Sequence, residues 1–228
     1  MLSGTGWPEP RWASSTESTN TDALAALPTA EGSVFGADEQ RAGRGRLARA
    51  WLSEPEAGIW FSLVVNPTPG PLALAIAVGV ARGLEPWVQV QLKWPNDILV
   101  AEKKLSGILI EVGRQTVVGI GINAVTPPID GAVGLADIST QPWTRESILA
   151  AVLQGVHDVL AEFRSAPQVV LAEYRTRCIT IGRLVRVSLP DGSQLAGTAD
   201  VDAQGQLVVE VEGIAHTVAA GDVVHATI

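Results

Sequence analysis

The sequence predicts an α+β fold, in which a main unit of strands and helices is followed by a small β-barrel. Three observations carry this. Runs of β-branched and aromatic residues recur between Arg11 and Ile122, bounded by Gly, Pro, Asn and Asp, and such runs read as strands. Two longer segments, Pro71–Leu84 and Thr144–Phe163, have the length and apolar content of helices. From Ile181 onward, short apolar runs alternate with Asp-Gly and Gln-Gly turns, the texture of a small all-β unit.

Taken in order, Arg11–Ala13 is a short strand leading into a polar turn, Ser14–Thr21, and an Ala/Leu helix, Asp22–Leu27, stopped by Pro28. Thr19 or Asn20 is the candidate cap, because a short polar side chain can accept an orphan helix N–H. Ser33–Asp38 is a strand entering a Gly/Arg loop, Ala42–Ala50, and Gly58–Val65 is a second strand. Pro71 opens a buried Ala-rich helix, with proline at its first turn. Gln89–Leu92, Ile98–Val100, Ile108–Val112 and Val117–Ile122 are strand candidates, the last two joined by a hairpin at Gly113–Gln115. Ile148, Val152, Val156, Val159, Leu160 and Phe163 recur at helical spacing behind a Thr144 cap. A further helix runs from Gln168 to about Arg175. Leu184–Leu189, Gln194–Ala199, Leu207–Val211 and His216–Val218 are the late strands, and Pro190-Asp191-Gly192 is a hairpin turn. The expected division is residues 1–180 and 181–228, the second piece being marginal in size for independent stability.

Composition excludes several classes. A chain of 228 residues that is 46% hydrophobic can fill a core, which rules out a disordered linker. A net charge of −8 argues against a general DNA or anionic-membrane binder, because phosphate binding needs a broad basic surface. Cys178 is the single cysteine, so no internal disulfide and no Cys-rich zinc site can form. His157, His216 and His225 lack metal-ligand spacing. The longest apolar run, Leu72–Val78 extended to Ala81, is far short of the roughly 20 residues of a membrane span. A cytoplasmic protein is expected. The basic residues are unevenly divided: 13 Arg but only three Lys, and Lys93, Lys103 and Lys104 all fall within twelve residues.

Four segments carry candidate chemistry. Gln40-Arg41-Ala42-Gly43-Arg44-Gly45-Arg46-Leu47-Ala48-Arg49 sets four arginines among glycines. Glycines let backbone N–H groups approach a ligand, and arginines match phosphate or carboxylate. The alternative is a solvated basic loop, in which the like charges repel. Lys93-Trp94-Pro95-Asn96-Asp97 follows a strand end; either it is a self-bonded turn or Trp94, Asn96 and Asp97 face a site. Lys103-Lys104-Leu105-Ser106-Gly107 opens a strand. A lysine there can stabilise charge developing between carboxylate and phosphate, or can simply guard a sheet edge. The alternating glycines of Gly119-Ile120-Gly121-Ile122-Asn123 indicate close approach of a ligand or another backbone.

In this order the segments resemble the biotin protein ligases. The matching pieces are Ser18-Thr19-Asn20, Gln40 with Gly43-Arg44-Gly45-Arg46, Arg49 with Trp51, Lys93 to Asp97, Lys104-Leu105 with Gly107-Ile108, and Gly119 to Asn123. The resemblance implies a class II synthetase-like core, a mixed, largely antiparallel sheet flanked by helices, ending in an SH3-like barrel. It implies ATP and biotin as substrates, with Mg²⁺ accompanying ATP, and a two-step reaction. Biotinyl-5′-AMP forms first, and biotin then passes to a lysine of the carboxyl-carrier domain of a biotin-dependent carboxylase. By the same resemblance Ser18, Thr19, Asn20, Gln40, Gly43 and Gly107 belong to the biotin side. Arg44, Gly45 and Arg46 form the loop that closes over biotin and adenylate. Lys104 lies between carboxylate and α-phosphate. Arg49, Trp51, Lys93, Asn96 and Asn123 serve the nucleotide, and Asp97 orients or deprotonates the acceptor lysine. Lys104, Arg46 and Asp97 are thus the expected catalytic set. Leu47 and Ala48 depart from the family's usual Arg-Gly, and the start of the matching motifs by Ser18 leaves no room for the DNA-binding domain some members carry. A homodimer through an edge of the main sheet fits the resemblance. The rival readings are a lipoate or octanoyl transferase of the same fold and a non-catalytic nucleotide-binding module.

Overall fold

The computed structural model describes residues 7–26, 29–189, 192–218 and 222–225. The expected helix stop at Leu27–Pro28 and the start of the turn at Pro190–Asp191 lie outside them. Twelve strands and five helices are described: β1 (Arg11–Ala13), α1 (Thr19–Ala25), β2 (Val34–Ala37), β3 (Gly58–Val65), α2 (Leu72–Leu84), β4 (Gln91–Lys93), β5 (Asp97–Val100), β6 (Lys103–Val112), β7 (Thr116–Asn123), α3 (Leu135–Ile138), α4 (Arg145–Ser165), α5 (Pro167–Arg177), β8 (Leu184–Ser188), β9 (Gln194–Val201), β10 (Leu207–Val211), β11 (Ile214–Val218) and β12 (Asp222–His225). β1 to β7 form one sheet in the order β1-β2-β3-β7-β6-β5-β4, and β8 to β12 a second in the order β11-β10-β9-β8-β12. Only the β1–β2 pair is parallel; the expected mixed, largely antiparallel sheet is what forms.

Helices α2 and α4 pack together closely because glycines remove the side chains between them. A Cβ on Gly155 would lie 2.3 Å from the Gly79 carbonyl oxygen, and one on Gly83 2.6 Å from Val152 Cα. α4 starts on a capping box, with Thr144 Oγ1 accepting the Ser147 N–H and Ser147 Oγ accepting the Thr144 N–H. The helix α1 begins earlier than the sequence suggests. Ser18, not Thr19 or Asn20, is its N-cap, and it makes no side-chain cap bond. Thr19 and Asn20 lie inside the helix because their side chains are drawn to tertiary partners, described below. α3, β12 and a short 3-10 turn at Arg46–Ala48 have no counterpart in the sequence reading.

The two sheets share one apolar core: Val185, Val187, Leu207 and Val209 join the cluster that includes Ile59, Ile76 and Trp94. The Trp94 indole N–H donates to the Gly205 carbonyl at 3.0 Å, and Trp94 N–H donates to Thr180 Oγ1 at 3.1 Å. His225 Nε2 is 3.3 Å from the same hydroxyl. Burial first, then the charges of Lys93 and Arg183, push the His225 pKa from the ordinary 6.5 to about 4. The unfolded chain therefore takes up a proton near pH 6.5 that the folded chain refuses until about pH 4. Stability is undiminished above that window and falls as the pH drops through it. The melting temperature is expected to be lower at pH 5 than at pH 7, and His225→Gln to narrow that gap; an unaltered gap would assign the effect to other groups.

Candidate active site

A cavity of about 300 Å³ opens between α1, the Gly/Arg loop, the β4–β5 turn, β6, β7 and β12. β6 runs along it. Lys104 stands at the strand's start, Gly107 pairs directly with Gly121 on β7, and Glu111 lies near its end. Seven residues of strand span roughly 23 Å, so Lys104, which lines the cavity, stands far along β6 from Glu111, which reaches it only through Asn20 and Arg44.

At the Lys104 end the groups are charged. The Lys104 ammonium is 2.6 Å from Asp97 Oδ1 and 5.2 Å from the Trp51 ring centre. Its backbone is pinned on both sides: Lys104 N–H donates to Gly131, and its carbonyl accepts from Val133 N–H and from Asn123 Nδ2. Asn96 is fixed to β6 by its Nδ2, which donates to the Ile108 carbonyl at 2.8 Å, and by Ile108 N–H, which donates to its own carbonyl at 3.1 Å. Arg46 Nη1 lies 3.5 Å from Asn96 Oδ1. Arg44, Arg46, Arg49, Lys93 and Lys104 line the cavity with one carboxylate, Asp97. An acidic chain has concentrated its cations here.

The floor is made by missing side chains. A Cβ on Gly121 would lie 2.7 Å from the Trp51 indole, and one on Gly119 2.3 Å from Asn20 Oδ1. The close approach read from the alternating glycines is therefore made by two side chains. Trp51 also packs edge-on against Trp60, with ring centres 6.2 Å apart. The Trp51 indole N–H is buried and lacks a hydrogen-bond partner among the described residues, which leaves a donor for a ligand.

At the other end an ion pair closes a chain of hydrogen-bonded neutral side chains. Arg44 Nη2 contacts both Glu111 carboxylate oxygens at 3.2 and 3.3 Å. Asn20 Nδ2 donates to Glu111 at 2.6 Å, and Ser62 Oγ donates to Asn20 Oδ1 at 2.6 Å. The Thr19 and Ser62 hydroxyls are 2.7 Å apart. Thr19 N–H donates to Gln40 Oε1, and Gln40 Nε2 to Ser53 Oγ, each at 2.9 Å.

Of the residues expected in the site, Ser18, Thr19, Asn20, Gln40, Arg44, Gly45, Arg46, Arg49, Trp51, Lys93, Asn96, Asp97, Lys104 and Gly107 line this one cavity. Gly43 and Asn123 do not. Gly43 closes the base of the loop, its carbonyl accepting Trp51 N–H at 2.9 Å, and a Cβ there would lie 2.5 Å from the Trp51 carbonyl oxygen. Asn123 is buried behind Lys104, where it holds the lysine's carbonyl. Sequence reasoning assigned no role to Ser53, Ser62 and Glu111, or to Val223 and Val224, through which the second sheet walls the cavity. A lone serine in the otherwise apolar strand Gly58–Val65 was the available signal for Ser62. Cys178 is buried away from the cavity, its Sγ 3.7 Å from the Tyr174 hydroxyl. The site therefore has no thiol nucleophile. No group of three or more His, Cys, Asp or Glu among the described residues is placed to hold a metal ion, and no described helix is long and apolar enough to cross a membrane.

Residues 10–124 match the sequence profile of the biotin/lipoate A/B protein ligase family. The chain is 37% identical to the biotin–[acetyl-CoA-carboxylase] ligase of Mycobacterium tuberculosis, over 97% of this chain and 91% of that protein. It is 33% identical to the bifunctional ligase/repressor BirA of Bacillus subtilis, over 81% of this chain and 63% of the relative. The structure superposes with a TM-score of 0.87 and 27% identity on the biotin protein ligase of Aquifex aeolicus in complex with biotin and ATP, covering 96% of this chain and 100% of that one. The chain belongs to the biotin/lipoate A/B protein ligase family.

Proposed function

We propose that this chain is a biotin protein ligase: it activates biotin with MgATP to biotinyl-5′-AMP and pyrophosphate, then transfers biotin to a lysine of a carboxyl-carrier domain. The observation that carries this is the two-ended cavity, cationic around Lys104 and neutral but rich in hydrogen-bonding groups around Thr19 and Asn20. Biotin has the matching ends, a carboxylate and an uncharged cyclic urea.

In the first step a biotin carboxylate oxygen attacks the α-phosphorus, and the bond to the β-phosphate oxygen breaks. Both partners are anions, so the barrier is largely repulsion and charge build-up. Lys104 stands between them and exchanges Asp97 for the incoming oxygens. Arg46 and Arg44 cover the adenylate from the loop. Arg49, Trp51, Lys93 and Asn96 take the nucleotide side. Ser18, Thr19, Asn20 and Gln40 hold the urea. Most of the acceleration then comes from positioning and fixed positive charge. In the second step the acceptor amine attacks the acyl carbon and AMP leaves. Asp97, released from Lys104, takes the ammonium proton. Residues 1–180 form the ligase unit, and 181–228 form a second unit that closes the wall of its cavity. With ATP as co-substrate, the reaction belongs to the cytoplasm.

The test is pyrophosphate release with MgATP, with and without biotin, followed by mass spectrometry of a carrier domain. Release that depends on biotin, and a biotinylated lysine, are expected. Release driven by lipoate or octanoate instead would favour the other branch of the family, and no stimulation by any of the three would remove the ligase reading.

A further inference from the structure

Glu111 has no place in the chemistry above, yet it ends the chain of hydrogen bonds that runs from Thr19 through Ser62 and Asn20. Paired with Arg44 at 3.2 Å, it is a carboxylate, and a carboxylate only accepts hydrogen bonds. Its Oε2 lies 2.6 Å from Asn20 Nδ2, so the Asn20 amide has one allowed orientation: nitrogen toward Glu111, oxygen toward Ser62. That oxygen accepts the Ser62 hydroxyl proton at 2.6 Å. Ser62 has no second proton, so in the 2.7 Å contact between the Ser62 and Thr19 hydroxyls Thr19 is the donor. Thr19 Oγ1 also lies 3.1 Å from Gln40 Oε1, but two hydroxyl oxygens 2.7 Å apart need a proton between them, and with the Ser62 proton on Asn20 that proton is Thr19's. Every bond in the series thus points toward Glu111. Thr19 lines the cavity, and its hydroxyl oxygen is left to meet a ligand as an acceptor.

We infer that Glu111 is a positioning residue that fixes the direction of this relay, and so selects a ligand end group bearing N–H donors. The inference rests on the biotin reading. A cyclic urea offers two N–H groups; a dithiolane ring or an alkyl chain, the alternatives within this family, offers none. A buried acceptor left without a donor is penalised, so the same wiring admits biotin and disfavours the others. Glu111 acts at a distance, through Ser62 and Asn20, and touches neither reacting atom.

Glu111→Gln is the closest isostere, but its amide can donate as well as accept, so the Asn20 orientation is no longer forced. Glu111→Asp is shorter and remains acceptor-only. Steady-state pyrophosphate release should show the KM for biotin raised about tenfold in Glu111→Gln, equivalent to about 1.4 kcal/mol. The KM for ATP and the melting temperature should stay at wild-type values. Glu111→Asp should recover part of the loss, whereas a purely space-filling role predicts the reverse order. An unchanged biotin KM in Glu111→Gln, or Glu111→Asp the worse of the two, would overturn the inference. A wild-type chain that releases no pyrophosphate with biotin would instead remove the ligase reading itself.

Discussion

Lys104→Ala is expected to reduce biotin-dependent pyrophosphate release by at least about a thousandfold, near the upper end of what loss of one preorganised donor at a developing charge costs. Two effects add. The ammonium that meets both reacting anions is gone. Asp97, whose partner at 2.6 Å is that ammonium, is left as an uncompensated negative charge where two further negative groups must converge. Lys104→Arg separates charge from shape. The space around the ammonium is tight: a Cβ on Gly107 would lie 3.1 Å from Lys104 Cε and 3.3 Å from Nζ, and 3.0 Å from the Trp51 ring. A planar guanidinium is wider than an ammonium and spreads its charge over a fork. The arginine variant should therefore lose about ten- to a hundredfold while melting like wild type. Wild-type turnover in Lys104→Arg would show that any cation suffices, and wild-type turnover in Lys104→Ala would remove the residue from the mechanism. The clustering of the few lysines fits this division. Lys93 and Lys104 line the cavity, whereas Lys103 is exposed beside it.

What the sequence reveals here depends on how far apart the interacting residues are. Gly58–Val65 is recovered residue for residue as β3 because its signal is local: β-branched and aromatic residues between a Gly and an Asn-Pro break. The Thr144 cap is local too. α1 is read three residues late because Thr19 and Asn20 are pulled into the helix by Gln40, Ser62 and Glu111, which are 21 to 91 residues away. β12 is short, and it pairs with β8 across more than thirty residues, so nothing in its four residues announces a strand. The cavity lining is legible in outline, since charged and glycine-rich motifs are unusual wherever they stand. Its supporting groups are not. Asn123 reads like a ligand-facing residue but serves the Lys104 carbonyl. Glu111 reads like the polar end of an apolar strand but closes a relay whose other members come from α1 and β3.

The Gly/Arg loop bears on the second large effect, the retention of the adenylate. Its base is held by Trp51 N–H to Gly43 and by Gly45 N–H to Arg49, at 2.9 and 2.8 Å. Its tip is held less well. Leu47 and Ala48 both adopt left-handed backbone angles, with φ of 55° and 56°, each costing roughly 1–2 kcal/mol for a residue with a Cβ. Leu47 is also 65% exposed, so apolar packing does little to offset that strain. A tip in this state is easily drawn elsewhere by a ligand, and Arg46, the first residue of its 3-10 turn, is the group with charge to be drawn. A guanidinium on phosphate makes charge-assisted bonds worth about 1.5–3 kcal/mol, or roughly ten- to a hundredfold in dissociation. Arg46→Ala should therefore form the adenylate but release it that much faster. The check is to preform biotinyl-5′-AMP on the enzyme, remove free ligand by rapid gel filtration and follow what remains bound. An unchanged half-life would refute the retaining role. A variant that fails to form adenylate at all would place Arg46 beside Lys104 in the first step rather than in retention. The expected contrast is that Lys104 variants stop adenylation, whereas the Arg46 variant lets the activated biotin escape and acylate exposed lysines on bystander proteins.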